Sequence, residues 1–263
     1  MINLSNISKT FHKGQSNEIV ALRNINLQIE NGEFVMLIGE NGSGKSTLLN
    51  TIAGSCSPTS GIISIDGVTV TKVPEYKRSK WIARVFQNPL HGTAPDLNIL
   101  ENFRLAAIRN STKHLKIGLG KIFIRQVQEK IATLGMGLEN RLYQSMGSLS
   151  GGQRQALSLL MCVMTDLKVL LLDEPTAALD PRSAETVMKT ADKLIKEYHI
   201  TAVMVTHNIK DAYHYGNRLI QMAEGEIIRD VRGVEKQQLN PADVYGWFIG
   251  DVSSQPYMPQ DGA

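Results

Sequence analysis

The chain of 263 residues holds only two cysteines, Cys56 and Cys162, and neither has a partner at metal-ligand spacing. This excludes a disulfide framework and a zinc module, and two lone thiols fit a reducing compartment. An excess of charge is also missing: 28 Lys and Arg against 25 Asp and Glu leave a formal net charge of +3. That balance gives no electrostatic footprint for nucleic acid or for an anionic membrane surface. No apolar run approaches the roughly 20 residues that cross a bilayer; Val169-Leu170-Leu171-Leu172 stops after four. Met1-Ile2-Asn3-Leu4 leads straight into polar residues, unlike a signal peptide, and no internal repeat is visible. The cytoplasm is the expected compartment, so any membrane role has to come through a partner. What is present is ordinary for a globular protein, 42% hydrophobic and 20% charged residues. The length suffices for one large α/β domain or two small ones.

Residues 1–8 read as a strand, and Val20 to Ile29 as another, alternating through Leu22, Ile25, Leu27 and Ile29 with a slip at Arg23-Asn24 that predicts a bulge. Lys13 to Asn17 between them is turn chemistry. Glu33 to Ile38 is a mostly apolar run ending at Gly39, the pattern of a buried parallel strand, and Lys45 to Ala53 then reads as a helix. Ile62 to Asp66, closed by Gly67, is a further short strand. From about Pro89 to Leu167 three helices are expected, over Leu97–Ile108, Gly120–Leu134 and Gly152–Met164, with no convincing strand. Lys168 to Leu172 and Thr201 to Thr206 resume the buried-strand pattern. Between them Val187, Met188, Ala191, Leu194, Ile195 and Tyr198 share one helical face. Leu219–Met222 and Glu226–Arg229 flank a hairpin turn. Residues 251–263, with two prolines after Ser253 and little to bury, read as a disordered tail.

Gly39-Glu40-Asn41-Gly42-Ser43-Gly44-Lys45-Ser46, between a strand and a helix, is a phosphate loop in its required context. Backbone N–H groups of such a loop converge on oxyanions at a helix N-terminus, where the dipole is positive. Gly39, Gly42 and Gly44 let the backbone approach, with Asn41 in the same loop. Lys45 is expected to bridge the β- and γ-phosphates, Ser46 to ligate Mg²⁺, and Thr47 to offer a hydroxyl to the α-phosphate. Lys168 to Leu172 delivers Asp173 and Glu174 at the C-terminal end of a strand, where α/β sheets bind ligands. Asp173 then suits the Mg²⁺ shell and Glu174 the base that polarises water, although Asp-Glu-Pro also suits a solvated turn.

A second motif, Leu149-Ser150-Gly151-Gly152-Gln153, is far rarer than the phosphate loop. The pair resembles the ATP-binding cassette (ABC) ATPases, and the resemblance runs from residue 1 to about 230 in the family's motif order. It implies an α/β fold with a P-loop core, an N-terminal antiparallel β subdomain and an inserted helical subdomain at about 89–167, within one domain over 1–250. It implies ATP and Mg²⁺, and a second copy of the chain. In the family Ser150, Gly152 and Gln153 lie where a helix N-terminus closes over ATP held by the partner copy, and Ala178-Leu179-Asp180 matches a loop that crosses between subunits. Gln87, in Val85-Phe86-Gln87-Asn88-Pro89, matches a glutamine that contacts Mg²⁺ and senses the transport partner, and His207 matches a histidine that touches the γ-phosphate. Phe11 falls where the family stacks an aromatic under adenine; it also suits a core position.

Most of the family continues after Gly152-Gln153 with Gln-Arg and Val-Ala-Ile-Ala-Arg, whereas this chain has Arg154-Gln155-Ala156-Leu157-Ser158-Leu159-Leu160-Met161. With Pro74-Glu75-Tyr76-Lys77-Arg78 and Thr176 to Pro181, that wording resembles a bacterial subgroup found beside a permease and a substrate-binding lipoprotein, some members of which are linked to aromatic amino acids. The resemblance therefore implies an ATP-hydrolysing subunit, peripheral on the cytoplasmic face, that powers import through integral membrane permease subunits. A substrate-binding protein is an indirect partner and nucleic acid is none. The alternative is a soluble ABC ATPase, such as one serving iron–sulfur cluster assembly. DNA-repair relatives carry long coiled coils or CxxC modules between the motifs, and neither occurs here. Leu97, Ile99, Leu100 and Phe103, just after Gln87, are expected to form part of a groove for a permease helix. His12, His91, His114, His199 and His214 are scattered without ligand spacing. Lys113 to Arg125 and Lys72 to Lys80 each read either as a basic patch for headgroups or a membrane subunit, or as solvated faces of packed segments.

Overall fold

The computed structural model describes residues 1–109 and 119–250. In chain order the elements are β1 (Ile2–Phe11), β2 (Ile19–Ile29), β3 (Phe34–Gly39), α1 (Lys45–Ala53), β4 (Ser60–Ile65), β5 (Val68–Thr69), α2 (Glu75–Arg78) and β6 (Ile82–Val85). There follow α3 (Ile99–Ala107), α4 (Lys121–Ala132), α5 (Gly151–Cys162), β7 (Val169–Asp173), α6 (Pro181–Glu197) and β8 (Thr201–Val205). The described chain closes with α7 (Ile209–His214), β9 (Arg218–Ala223), β10 (Glu226–Arg232), α8 (Gly233–Gln238) and α9 (Pro241–Gly250).

The strands form two sheets, an antiparallel one ordered β2-β1-β4-β5 and a mixed one ordered β10-β9-β3-β8-β7-β6. In the mixed sheet β9, β3, β8, β7 and β6 are parallel and β10 joins antiparallel at the edge. Being covered on both faces, β3 is buried at every residue and reads as a continuous apolar run. Its side chains divide by parity. Val35 and Leu37 join Leu48, Leu49 and Ile52 of α1 and the antiparallel sheet in one core. Phe34, Met36 and Ile38 face the other, which holds α3, α5 and α6. The predicted bulge is present: Ile7 pairs with Ile25 and Lys9 with Leu22, so Arg23 and Asn24 together oppose Ser8. Asn24 takes φ of 47°, a conformation asparagine tolerates better than most side chains.

Several expectations are corrected. Ile99, Leu100 and Phe103 are fully buried under the helical segment and present nothing outward; Leu97 is partly buried. An apolar face at helical spacing marks a core as readily as a docking surface, and here the core wins. Val20 is exposed on the outer strand β2, and Tyr198 lies beyond α6 with its ring under Lys130 Nζ rather than in the core. The reading of 113–118, including His114, falls outside the described residues, as does the tail over 251–263. Of that stretch's continuation in α4, Ile122 is 79% exposed, while Val127 and Ile131 are the buried positions. Among the described residues, no strand lies between 89 and 167.

The run Lys72 to Lys80 contains a residue that is neither patch nor solvated face. Arg78 is fully buried, with Nε donating to Val73 O (2.8 Å), Nη1 to Thr51 O (2.9 Å) and Ile52 O (2.8 Å), and Nη2 to Thr71 O (3.1 Å). A guanidinium at the C-terminal end of α1 meets the negative end of its dipole and satisfies carbonyls that the helix leaves unpaired. Arg78→Met keeps most of the bulk but strips these acceptors, each costing about 1–3 kcal/mol where water cannot reach. Only the bonds to Thr51 O and Ile52 O are buried, so the expected loss is about 3 kcal/mol in urea unfolding, read as a lower midpoint at unchanged slope. A variant as stable as the native chain would show that water substitutes for Arg78.

Candidate active site

Gly39, Val205, Asp173 and Val85 end β3, β8, β7 and β6, four adjacent parallel strands, so the loops that follow them emerge along one edge of the sheet. This is the edge at which open α/β sheets place ligands. Folding thereby gathers Lys45, Gln87, Asp173, Glu174 and His207, which span more than 160 positions of sequence.

The phosphate loop turns directly into α1. Gly44 is the residue before the helix, at φ of 100°, and a Cβ there would lie 2.5 Å from the carbonyl oxygen of Ala21. Only glycine fits. α1 has no side-chain cap and no acidic residue in its first turn, so its N–H groups and positive dipole end remain available to an anion. Lys45 is buried, with Nζ donating to Gly39 O (2.9 Å) and Glu40 O (2.7 Å). Burial pushes its ammonium pKa below the ordinary range, opposed by the charges of Glu174, Asp173 and Glu40. Asn41, Gly42 and Ser46 are exposed at the loop mouth, and Thr47 is half-buried one residue on. The set fits a polyphosphate. It also fits Mg²⁺, a hard cation that takes a hydroxyl, a carboxylate and an amide oxygen, here from Ser46, Asp173 and Gln87, and completes its shell with phosphates and water.

Glu174 follows β7 at φ of 45°, a conformation costly for a residue with a side chain, held by its own N–H donating to Val205 O at 3.0 Å. The turn aims the carboxylate across the strand ends. Its Oε1 lies 2.7 Å from His207 Nε2 and its Oε2 accepts from Gln87 Nε2 at 3.4 Å. Asp173 points elsewhere, with Oδ2 2.6 Å from Arg84 Nη2. The two neighbouring carboxylates are thus given different partners. A cleft of about 770 Å³ opens beside Glu174 and His207, lined by Thr206, Asn208, Lys210 and Tyr215 among others.

The remaining predicted site residues lie elsewhere on the chain. Ser150 is exposed and caps α5, its Oγ accepting from Gln153 N (3.3 Å) while Gln153 Oε1 accepts from Ser150 N (3.2 Å). This reciprocal cap occupies the Gln153 side chain within its own helix. Gly152 is buried where a Cβ would sit 2.5 Å from Ser183 Cβ, so the start of α5 rests against the start of α6. Asp180 caps α6 by accepting from Arg182 N and Ser183 N (3.1 Å each), and the Ser183 hydroxyl followed by these amides holds its carboxyl below the usual range. Phe11 ends β1 half-buried, outside both cores, with Lys9 Nζ 4.8 Å from its ring centroid. Phe11 is thus not a member of either core.

Three polar residues escape motif reading. Arg84 stands beside Asp173. Arg154, buried, donates from Nε to Met146 O (3.1 Å) and from Nη2 to Gly147 O (3.0 Å) and Leu149 O (2.9 Å), fixing the turn that leads into Ser150. Gln155, fully buried, donates from Nε2 to Phe86 O (2.9 Å), which ties α5 to the loop carrying Gln87. A charge inside the strand Ile82-Ala83-Arg84-Val85 is a signal that sequence reading can use. A glutamine in a helix carries none.

Comparison with known proteins agrees with this geometry. Residues 22–177 match the family described as ABC transporter. A tyrosine transport ATP-binding protein of Clostridioides difficile is 41% identical over 248 residues, which cover 94% of this chain and 98% of that protein. The energy-coupling factor transporter ATP-binding protein EcfA2 of Clostridium perfringens is 36% identical over 87% of this chain and 79% of its own length. Among solved structures, a dimeric post-hydrolysis state of the ATP-binding cassette MJ0796 bound to ADP and Pi superposes with a TM-score of 0.76 at 33% identity, covering 88% of this chain and 98% of that one. Motif order, sheet edge and full-length likeness converge, and the chain belongs to the ABC transporter family as one of its ATP-hydrolysing subunits.

Proposed function

We propose that two copies of this chain power the import of tyrosine or a related aromatic amino acid, held at the cytoplasmic face of the membrane by permease subunits and served by an extracytoplasmic binding protein. The likeness to the tyrosine transport protein, 41% identity along nearly its whole length, carries the substrate class. Among the described residues no helix is long and apolar enough to cross a membrane, so passage of the solute is assigned to the permease.

In the proposed cycle Phe11 stacks on adenine, and the loop amides from Gly39 to Lys45 grip the phosphates. Ser46, Gln87 and Asp173 would hold Mg²⁺, which supplies charge neutralisation between the β- and γ-phosphates. Glu174 accepts hydrogen bonds from the attacking water and takes up its proton. His207 fixes the Glu174 carboxylate through the 2.7 Å contact and touches the γ-phosphate. Ser150 and the α5 N-terminus of the second copy close the site from the opposite side, with Asp180 at the shared face. Hydrolysis removes the γ-phosphate that bridges the copies, and they part.

The docking surface is reassigned from the buried helix positions to a cleft of about 380 Å³ beside the Gln87 loop, lined by Gly92, Ala94, Asn102, Leu105, Arg109 and Ser158. It lies between the loop after β6 and the helical segment that we take as a subdomain at about 89–167. A permease helix in this cleft touches the loop that carries Gln87, which is how the membrane subunit would sense nucleotide. The test is uptake of labelled tyrosine, phenylalanine and tryptophan in cells lacking their own aromatic carriers and expressing this chain with its neighbouring permease and binding-protein genes. Uptake that requires Lys45 is the expected result. A chain that stays out of the membrane fraction and supports no uptake would favour the soluble ATPase alternative.

A further inference from the structure

We propose that Arg84 is a positioning residue for Asp173 and thereby sets the affinity of the nucleotide site for Mg²⁺. The inference rests on the ATPase reading above. β6 is a short edge strand whose Ile82, Ala83 and Val85 are buried and apolar. Arg84 shares the parity of Ile82, which faces the core containing α1. It pairs in register with Leu171, two residues before Asp173 on the same face of β7. The side chain therefore runs between the sheet and α1. Nη2 reaches Asp173 Oδ2 at 2.6 Å and Nη1 reaches Asn50 Oδ1 at 2.6 Å, with the guanidinium carbon 4.7 Å from the Phe86 ring centroid.

Each anchor belongs to a different part of the site. Asn50 lies on the helix that opens with Lys45 and Ser46, Asp173 ends β7, and Phe86 precedes Gln87. A planar guanidinium held by two acceptors and a ring has little freedom, so it transmits the placement of α1 and the Gln87 loop to the carboxylate. With Oδ2 taken by Arg84, Oδ1 is the Asp173 oxygen that this ion pair leaves uncommitted. The pair is only 12% and 16% exposed, and Arg84 Nε is buried without an acceptor. Keeping a buried donor unpaired opposes stability. An apolar residue at position 84 would suit the strand better, so the arginine is explained by what it does to Asp173.

Two effects of Arg84 on a divalent cation have opposite sign, which makes the idea testable. As a charge beside Asp173 it repels the cation, so removing it tightens Mg²⁺ binding. As an orienting group it presents the carboxylate, so removing it weakens Mg²⁺ binding. Outer-shell partners of this kind typically change metal affinity about 10–100-fold. The experiment titrates a fluorescent ATP analogue onto the purified full-length chain, first in EDTA and then against increasing Mg²⁺, with thermal melts to confirm folding. For Arg84→Gln we expect unchanged nucleotide affinity in EDTA and a Mg²⁺ half-saturation raised roughly tenfold. Arg84→Lys, which keeps the charge but loses the two-pronged reach, should be raised by less. Asn50→Leu, which frees one anchor while leaving Arg84 in place, should shift the same way and serves if Arg84→Gln does not fold. A Mg²⁺ half-saturation that is unchanged or lowered in folded Arg84→Gln overturns the proposal, and so does an unchanged value in Asn50→Leu when Arg84→Gln does not fold. Native chain that fails to bind nucleotide even at saturating Mg²⁺, or binds it equally well as Lys45→Ala, overturns the ATPase reading instead.

Discussion

Glu174→Gln is expected to bind ATP like the native chain, to hydrolyse it about 10²–10⁴-fold more slowly, and to accumulate as a nucleotide-bound pair. The amide keeps the size of the carboxylate and can still face His207 Nε2, now 2.7 Å from Oε1, and Gln87 Nε2, 3.4 Å from Oε2. It cannot take the proton of an attacking water. Geometry is therefore preserved while the chemical step is lost, and the γ-phosphate persists between the two copies. The backbone at φ of 45° belongs to the turn and not to the acid, so the substitution leaves that strain unchanged. Phosphate release and size exclusion in ATP read both halves of the result. Turnover above a tenth of the native rate would place the base elsewhere.

The second large effect concerns Ser150. Ser150→Arg should leave ATP binding to the single chain intact and reduce turnover by at least about 10²-fold, the scale of losing a preorganised donor at a reacting anion. In the proposed cycle the paired copy would supply Ser150, which is exposed and whose side-chain bond within its own chain goes to Gln153 N. An arginine there fills the seat of the partner's γ-phosphate. Loss of the α5 cap costs about 1 kcal/mol, too little to unfold the chain and visible as a small shift in melting. Mixing Ser150→Arg with Lys45→Ala rebuilds one composite site with both halves native, and activity should return in part. Lost ATP affinity in isolated Ser150→Arg would refute the cross-copy assignment.

How much of this was legible depended on whether the chemistry is contiguous. Gly39 to Ser46 is one segment flanked by an apolar strand and a helix, so its local pattern gives the fold and points to the role, and α1 begins at Lys45 as predicted. The meeting of Gln87, Glu174 and His207 arises from strand order, which periodicity does not encode, and only family resemblance brought them together. Burial was misread where one pattern serves two ends. Ile99, Leu100 and Phe103 look the same whether they face a partner or the core, and Arg78 sits among Lys72, Lys77 and Lys80 as though solvated. β6 went unread because it has four residues, one of them charged, and α7 because six residues give too short a period. Arg154 and Gln155 differ from the commoner wording of the family, yet each serves a backbone carbonyl, a role that other donors can fill.

The abutting helix starts at Ser150 and Asp180 also bear on what holds the two copies together. Gly152 against Ser183 brings two helix N-termini side by side on one face, each carrying a partial positive charge of roughly half a unit. A two-fold axis through that face would bring four such ends together, with the Asp180 carboxylate of each copy among them. In the proposed pair, such ends would repel one another face to face without a polyanion between them. Nucleotide then acts as a counter-charge shared between like surfaces, and the spacing of the pair follows the charge on the phosphate chain. On this view the cassette is an electrostatic spring, set when the negatively charged nucleotide enters and released when one phosphate leaves.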